Sequence, residues 1–212
     1  MASKRLKALA DLVPDASTVA DIGSDHALLL RILAEQGKLK KGYAMDIAAG
    51  PLRAARANLE KTEYANISVI QSDGLRELPD DVTTVVIAGL GNRSIQRILD
   101  NDWSKVESLQ NVIIQCNSEI TLFRQYLATR QVNITAERWL TDYKDYQMIV
   151  FDCKKKTVYS EAEIFFGPKL LKEKPQDFLA YYRRRYDSLR EIYLYSHDPG
   201  LLEELALIQT IL

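Results

Sequence analysis

Thr18-Val19-Ala20-Asp21-Ile22-Gly23-Ser24-Asp25-His26 carries a β-branched run into an acid and a glycine, and then toward a helix expected to open at Ala27. A strand that turns on glycine into a helix N-terminus is how a nucleotide-type ligand site begins. Gly23 lets the backbone turn sharply beneath a ligand, and the N–H groups of the first helical turn point at the same spot. A dinucleotide site, however, needs three glycines spaced G-x-G-x-x-G. Here Asp25 holds the second glycine position, and its charge opposes a pyrophosphate. The stretch predicts a nucleotide-type ligand other than a dinucleotide.

Outward from this stretch, strand-like and helix-like segments alternate to about residue 154, the pattern of a parallel sheet covered on both faces. Strands are expected at 18–22, 42–47, 67–71, 83–88 and 112–115, with 134–140 and 147–153 as a closing pair. The short polar connection 141–146 makes that pair an antiparallel hairpin. Gly50-Pro51 is expected to place proline at the first helical position, and Ser118-Glu119 to cap the helix that runs to about Arg130. An α/β, mostly parallel sheet finished by an antiparallel hairpin is the Rossmann-like architecture of class I methyltransferases. From Tyr159 the period is helical: Leu179, Tyr182, Tyr186, Leu189 and Tyr193 recur at three- and four-residue steps. After a break at His197-Asp198-Pro199-Gly200 come Leu201, Leu205, Ile208 and Leu212. Two seams joined by a tight turn predict an antiparallel, coiled-coil-like helical hairpin. The chain is therefore divided into 1–156 and 157–212, and the first part is expected to fold by itself.

The whole-chain numbers exclude several classes. With 212 residues the chain can bury a full core, and 28 Lys plus Arg against 29 Asp plus Glu leave no global field for nucleic acid. Any RNA contact must use a local patch, such as Tyr181-Tyr182-Arg183-Arg184-Arg185-Tyr186 or the lysines and arginine at Lys4, Arg5, Lys7, Lys38, Lys40 and Lys41. Two cysteines, Cys116 and Cys153, in apolar settings suggest reduced thiols of a cytoplasmic protein. Two histidines and no Cys/His cluster offer no metal site. Neither a membrane span nor a signal-peptide core is expected, and a monomer is the favoured state.

Ligands of such a sheet sit beyond the carboxyl ends of its strands, which directs attention to the residues there. Asp46 closes the second strand, where a carboxylate accepts from ribose hydroxyls, with Ile47 beside it. Ser72-Asp73-Gly74 follows the third strand, where an acid can accept from an exocyclic amine. Gly89-Leu90-Gly91-Asn92 follows the fourth, and Gln115-Cys116-Asn117 follows the fifth with two amides able to read a base edge. An acid at each of the first three strand ends, with Gly-x-Gly at the fourth, favours S-adenosyl-L-methionine as the ligand. The expected cofactor contacts are Asp21, Gly23, Asp46, Ile47, Asp73, Gly74 and Gly89; Asp25, Asn92 and Asn117 are the expected catalytic positions.

These residues resemble the bacterial tRNA (adenine-N1)-methyltransferases called TrmK. The likeness spans the chain: Ser3-Lys4-Arg5-Leu6, Asp21-Ile22-Gly23-Ser24-Asp25-His26-Ala27, Gly50-Pro51, Gly89 with Gly91, Gln115 with Asn117, and Phe166-Gly167-Pro168. It implies methylation of N1 of adenine 22 in tRNA and a C-terminal helical domain that helps hold the RNA. Where the family carries Gly-Met-Gly-Gly, Gln-Pro-Asn and Tyr-Glu, this chain has Gly89-Leu90-Gly91-Asn92, Gln115-Cys116-Asn117 and Tyr146-Gln147. Two other readings stay open at this level: a methyltransferase for a small molecule or protein, and a cofactor-binding module without turnover.

Overall fold

The computed structural model describes residues 3–60, 64 and 66–212. After α1 (Lys4–Leu12), the chain alternates β1 (Ser17–Ile22), α2 (Leu28–Glu35), β2 (Leu39–Asp46), α3 (Ala49–Leu59) and β3 (Ile67–Gln71). The second half adds β4 (Thr84–Leu90), α4 (Asn92–Asn101), α5 (Trp103–Ser108), β5 (Asn111–Cys116) and α6 (Ile120–Thr129). β6 (Asn133–Thr141) and β7 (Asp145–Asp152) close the sheet, in the order β3-β2-β1-β4-β5-β7-β6. β1 to β5 pair in parallel; the final hairpin folds back so that β7 pairs antiparallel with both β5 and β6. The strand order reverses between β1 and β4, which opens a crevice at their carboxyl ends.

Side-chain alternation decides what each face of the sheet buries. On β1 Val19 packs toward α1 and α2, and Ala20 toward α4 and α6; on β4 Val86 goes to the first layer, and Val85 with Ile87 to the second. Both layers are closed, with Leu9, Leu30, Phe123 and Leu127 fully buried.

Local chemistry shifts several expected helix starts. α2 opens at Leu28, because His26 and Ala27 both take left-handed backbone, at φ 61° and 54°. Pro51 is the third residue of α3, not its first. Ser118-Glu119 does not cap α6: Glu119 stands at the N-cap in left-handed backbone, and its side chain makes no capping bond. The thiols are free as expected.

Beyond β7 lie α7 (Glu161–Phe166), α8 (Pro168–Glu173), α9 (Gln176–Ser196) and α10 (Gly200–Gln209). A capping box between Ser160 and Glu163 starts α7. α9 and α10 form the expected hairpin around Tyr182, Leu189, Leu205 and Ile208, although Ile211 takes the buried place expected of Leu212. These helices also pack on the sheet. Trp139 of β6 sits among Phe178, Tyr181 and Tyr182, at ring distances of 5.6, 4.8 and 5.9 Å.

Beneath that cluster Arg124 of α6, 1% exposed, donates to Glu137 Oε1 at 2.7 Å, to Gln147 Oε1 at 3.0 Å and to the Phe165 carbonyl at 3.3 Å. Glu137 Oε2 accepts the Lys169 amide at 2.9 Å. Gly167, at φ +100°, passes so close that a Cβ there would collide with the Glu137 carboxylate. This contact changes the expectation that residues 1–156 fold alone, since a chain cut there would uncover Trp139 and strip two partners from a buried ion pair. Arg124→Met, which leaves Glu137 buried without its cation, is expected to cost about 3–5 kcal/mol in urea unfolding. A loss below 1 kcal/mol would mean that the pair does not hold the two units together.

Candidate active site

The strand-end residues converge as the topology requires. Asp21 ends β1 with its carboxylate buried, accepting the Ser24 hydroxyl at 2.7 Å. Gly23, at φ +74°, makes the turn, and nothing lies within 4 Å of where its Cβ would stand. The amides of Gly23 and Ser24 both donate to the Met45 carbonyl, at 2.8 and 3.0 Å. The loop is thus tied to β2 and does not offer those two N–H groups to a ligand. Asp25 and His26 are exposed, 3.1 Å apart, at the mouth of the crevice.

Two cavities meet over this turn. One, of about 290 Å³, is lined by Ile22, Gly23, Asp46, Ile47, Ser72, Asp73, Gly74 and Leu90. The other, of about 300 Å³, is lined by Arg5, Asp21, Gly23, Asp25, Leu28, Ala88, Gly89 and Leu90. They share Gly23 and Leu90, so the two form one cleft. Asp46 Oδ1 accepts the Ala48 amide at 2.7 Å, which fixes the carboxylate at the rim. Ile47 is 61% exposed beside it, an apolar side chain left open where a planar ring can lie. Ser72 bonds the Gly74 carbonyl and the Glu77 amide and so shapes the loop that carries Asp73. All seven expected cofactor positions line this cleft.

The catalytic expectations fare differently. Asp25 faces the second cavity. Asn117 lines a third cavity between β5, α6 and Tyr181. Its Nδ2 donates to the Gly89 carbonyl at 2.6 Å, and its Oδ1 accepts Gln115 Nε2 at 3.0 Å. Gln115 is fully buried, and its Oε1 accepts the Arg5 guanidinium at 2.9 Å. Gln115 therefore holds Asn117 in place and, being fully buried, is closed to a base edge. Asn92, 4% exposed, starts α4 and accepts Gln96 Nε2 at 2.7 Å; its side chain lines neither cavity of the cleft.

Arg5 is the site residue that local sequence reasoning passed over as one charge in a basic stretch. From α1 it bonds Gln115, stacks 6.0 Å from the Tyr146 ring and lines the cleft. It also acts on Asp21. Burial pushes the Asp21 carboxyl from its ordinary 3.8 up to about 6, opposed by the Ser24 hydroxyl and the positive Arg5. Among the described residues no cluster of His, Cys, Asp and Glu could hold a metal ion, and no helix is long and apolar enough to cross a membrane.

A doubly wound sheet with this strand order, and acids at the ends of β1, β2 and β3 around a glycine turn, defines a class I S-adenosylmethionine-dependent methyltransferase. The donor set fits that group: carboxylates for hydroxyls and an amine, beside exposed Ile47 for a purine face. The comparisons narrow the class. Residues 19–208 match the TrmK family model, tRNA (adenine(22)-N(1))-methyltransferase, and the chain belongs to that family. It is 30% identical to the tRNA (adenine(22)-N(1))-methyltransferase of Bacillus subtilis over 199 residues, 90% of this chain and 84% of that protein. The crystal structure of the B. subtilis m1A22 tRNA methyltransferase TrmK superposes with a TM-score of 0.85 at 27% identity, covering 100% of this chain and 98% of that one. M. capricolum TrmK, solved with the cofactor product S-adenosyl-homocysteine, gives 0.84 at 29% identity, covering 99% and 97%.

The raised Asp21 value fixes a sign for stability. The folded protein keeps this proton where the unfolded chain has lost it, so the contribution is present below about pH 4 and is lost as pH rises to about 6. Its full size is about 3 kcal/mol at 1.36 kcal/mol per unit. Asp21→Asn should gain stability relative to the parent across that window in urea titrations of the ligand-free protein. Parallel curves for the two proteins would contradict the burial of this carboxyl.

Proposed function

We propose that this chain methylates N1 of adenine 22 in tRNA by holding cofactor and base in line, without a strong general base. S-adenosyl-L-methionine supplies an activated methyl group, which the N1 lone pair attacks as the carbon–sulfur bond breaks. Asp46 and Ile47 hold the nucleoside half, Asp46 by accepting ribose hydroxyls, and Asp73 with Gly74 receives the adenine amine. Asp21, Gly23 and Gly89 border the other half. The positive charge of that half favours the ionised form of Asp21, which burial alone opposes.

Asp25, at the open side of the cleft, accepts from the exocyclic amine of the target base or offsets the charge that develops on its ring. Asn117 acts by fixing the Gly89 carbonyl, and Asn92 acts through its backbone at the start of α4. N1 lies on the Watson–Crick edge, so the target base must be unpaired and drawn out of its stack. The observation that carries this reading is the single cleft in which the cofactor acids and Asp25 meet across Gly23 and Leu90.

Residues 157–212 serve to hold RNA. Of the three consecutive arginines, Arg185 is spent inside the hairpin, bonding Glu204 at 2.9 and 3.1 Å, which leaves exposed Arg183 and Arg184 for phosphate. Lys38 and Lys41 already have partners within the chain: Lys38 bonds the last carbonyls of α1, and Lys41 pairs with Asp81 at 3.0 Å. A tRNA substrate supports a cytoplasmic site of action.

Unmodified tRNA transcripts incubated with protein and cofactor, digested and resolved by mass spectrometry, should contain 1-methyladenosine, and an adenine 22→guanine transcript should not. Asp25→Ala should lower the methylation rate at least ten-fold while its affinity for S-adenosyl-homocysteine stays within two-fold. Equal methylation of both transcripts would overturn the assignment of position 22. Loss of cofactor binding in Asp25→Ala would make Asp25 a cofactor ligand.

A further inference from the structure

A further cavity stands beside the cleft. It lies between α1 and α2, has a volume of about 570 Å³, and is lined by Arg5, Leu6, Leu28, Arg31, Ile32 and Glu35 along with the α1 cap. Arg5, Leu6 and Leu28 also line the cleft, so this chamber adjoins it. Arg31 is under-used there. Its Nε is buried and meets no acceptor among the described residues, and its Nη2 stands 3.7 Å from Glu35 Oε1, beyond hydrogen-bond distance. The side chain as a whole is 33% exposed, so its terminal nitrogens keep donors that an acceptor from outside the chain can reach. Leu28, 39% exposed at the rim, supplies an apolar face beside that charge.

We infer that this chamber is an RNA subsite that takes the phosphate of the nucleotide adjoining the target base, with Arg31 as its donor. The inference rests on the tRNA reading above. A base drawn out of its stack into the cleft brings its own backbone to the mouth, and the chamber adjoins the cleft. Arginine suits the task, because its planar fork matches phosphate oxygens in pairs. Glu35, exposed one turn further along α2 and 3.7 Å from Arg31, is the repulsive element that a bound phosphate must approach.

The test uses the full-length protein with an unmodified tRNA transcript and, separately, S-adenosyl-homocysteine. Arg31→Gln should weaken tRNA binding three- to ten-fold and lower the slope of log affinity against log salt by about one, with the affinity for S-adenosyl-homocysteine unchanged. Glu35→Gln should tighten tRNA binding about two-fold. Should Arg31→Gln fold poorly by thermal melting, the Glu35→Gln result decides alone, and unchanged or weaker tRNA binding overturns the subsite. Weaker binding of S-adenosyl-homocysteine by Arg31→Gln with tRNA affinity intact also overturns it, because Arg31 would then serve the carboxylate of the cofactor. A parent protein that binds no tRNA contradicts the functional reading itself, whereas tRNA binding indifferent to both variants removes only the subsite.

Discussion

The Arg5 guanidinium, 2.9 Å from Gln115 Oε1, begins the chain of hydrogen bonds on which the geometry of the cleft depends. Gln115 passes the constraint to Asn117, and Asn117 to the Gly89 carbonyl. An N-terminal helix thereby sets the position of the β4 loop through the end of β5. Buried polar chains of this kind stiffen a site when every member is satisfied. Arg5 is also a positive neighbour of buried Asp21, so one side chain orders the β4 loop and moderates the charge at the end of β1. Methyl transfer to a lone pair asks for such placement more than for proton transfer.

A second buried arginine does the same for the rest of the molecule. Arg124 joins α6, β6, β7 and the start of the C-terminal helices through Glu137, Gln147 and the Phe165 carbonyl. The same Gln147 lines the cavity that contains Asn117 and Tyr181. The C-terminal helical unit is thus fastened to the strand ends around the cleft, and its position is set by a paired buried charge and the aromatic cluster around Trp139.

The sheet was legible in the sequence because β-branched runs such as Thr84, Val85, Val86 and Ile87 leave few alternatives, and because Asp21, Asp46 and Asp73 mark successive strand ends. The helical hairpin was legible from its seam. Helix starts were less so, since left-handed backbone at His26, Ala27 and Glu119 is set by tertiary packing and not by the residue types. Hydrogen bonds between distant positions left no local trace: Arg5 and Gln115 lie 110 positions apart. Arg124 and Glu137 sit in segments whose amphipathic pattern gives no sign of a buried charge pair. The burial of the Asn92 side chain was hidden for a related reason, because a polar residue beside two glycines suggests an open loop, and its neighbour Gln96 becomes visible as a partner only once α4 is formed.

The central claim is that placement, not proton abstraction, drives the reaction. Its most direct test is the single-turnover rate of tRNA methylation, at saturating cofactor and enzyme in excess, measured from pH 7 to 9. Asp21 titrates below this range, and the adenine N1 lone pair is free throughout it. The account predicts a level profile. A rate that climbs ten-fold per pH unit through this range would show that a group must lose a proton before transfer, and would contradict it.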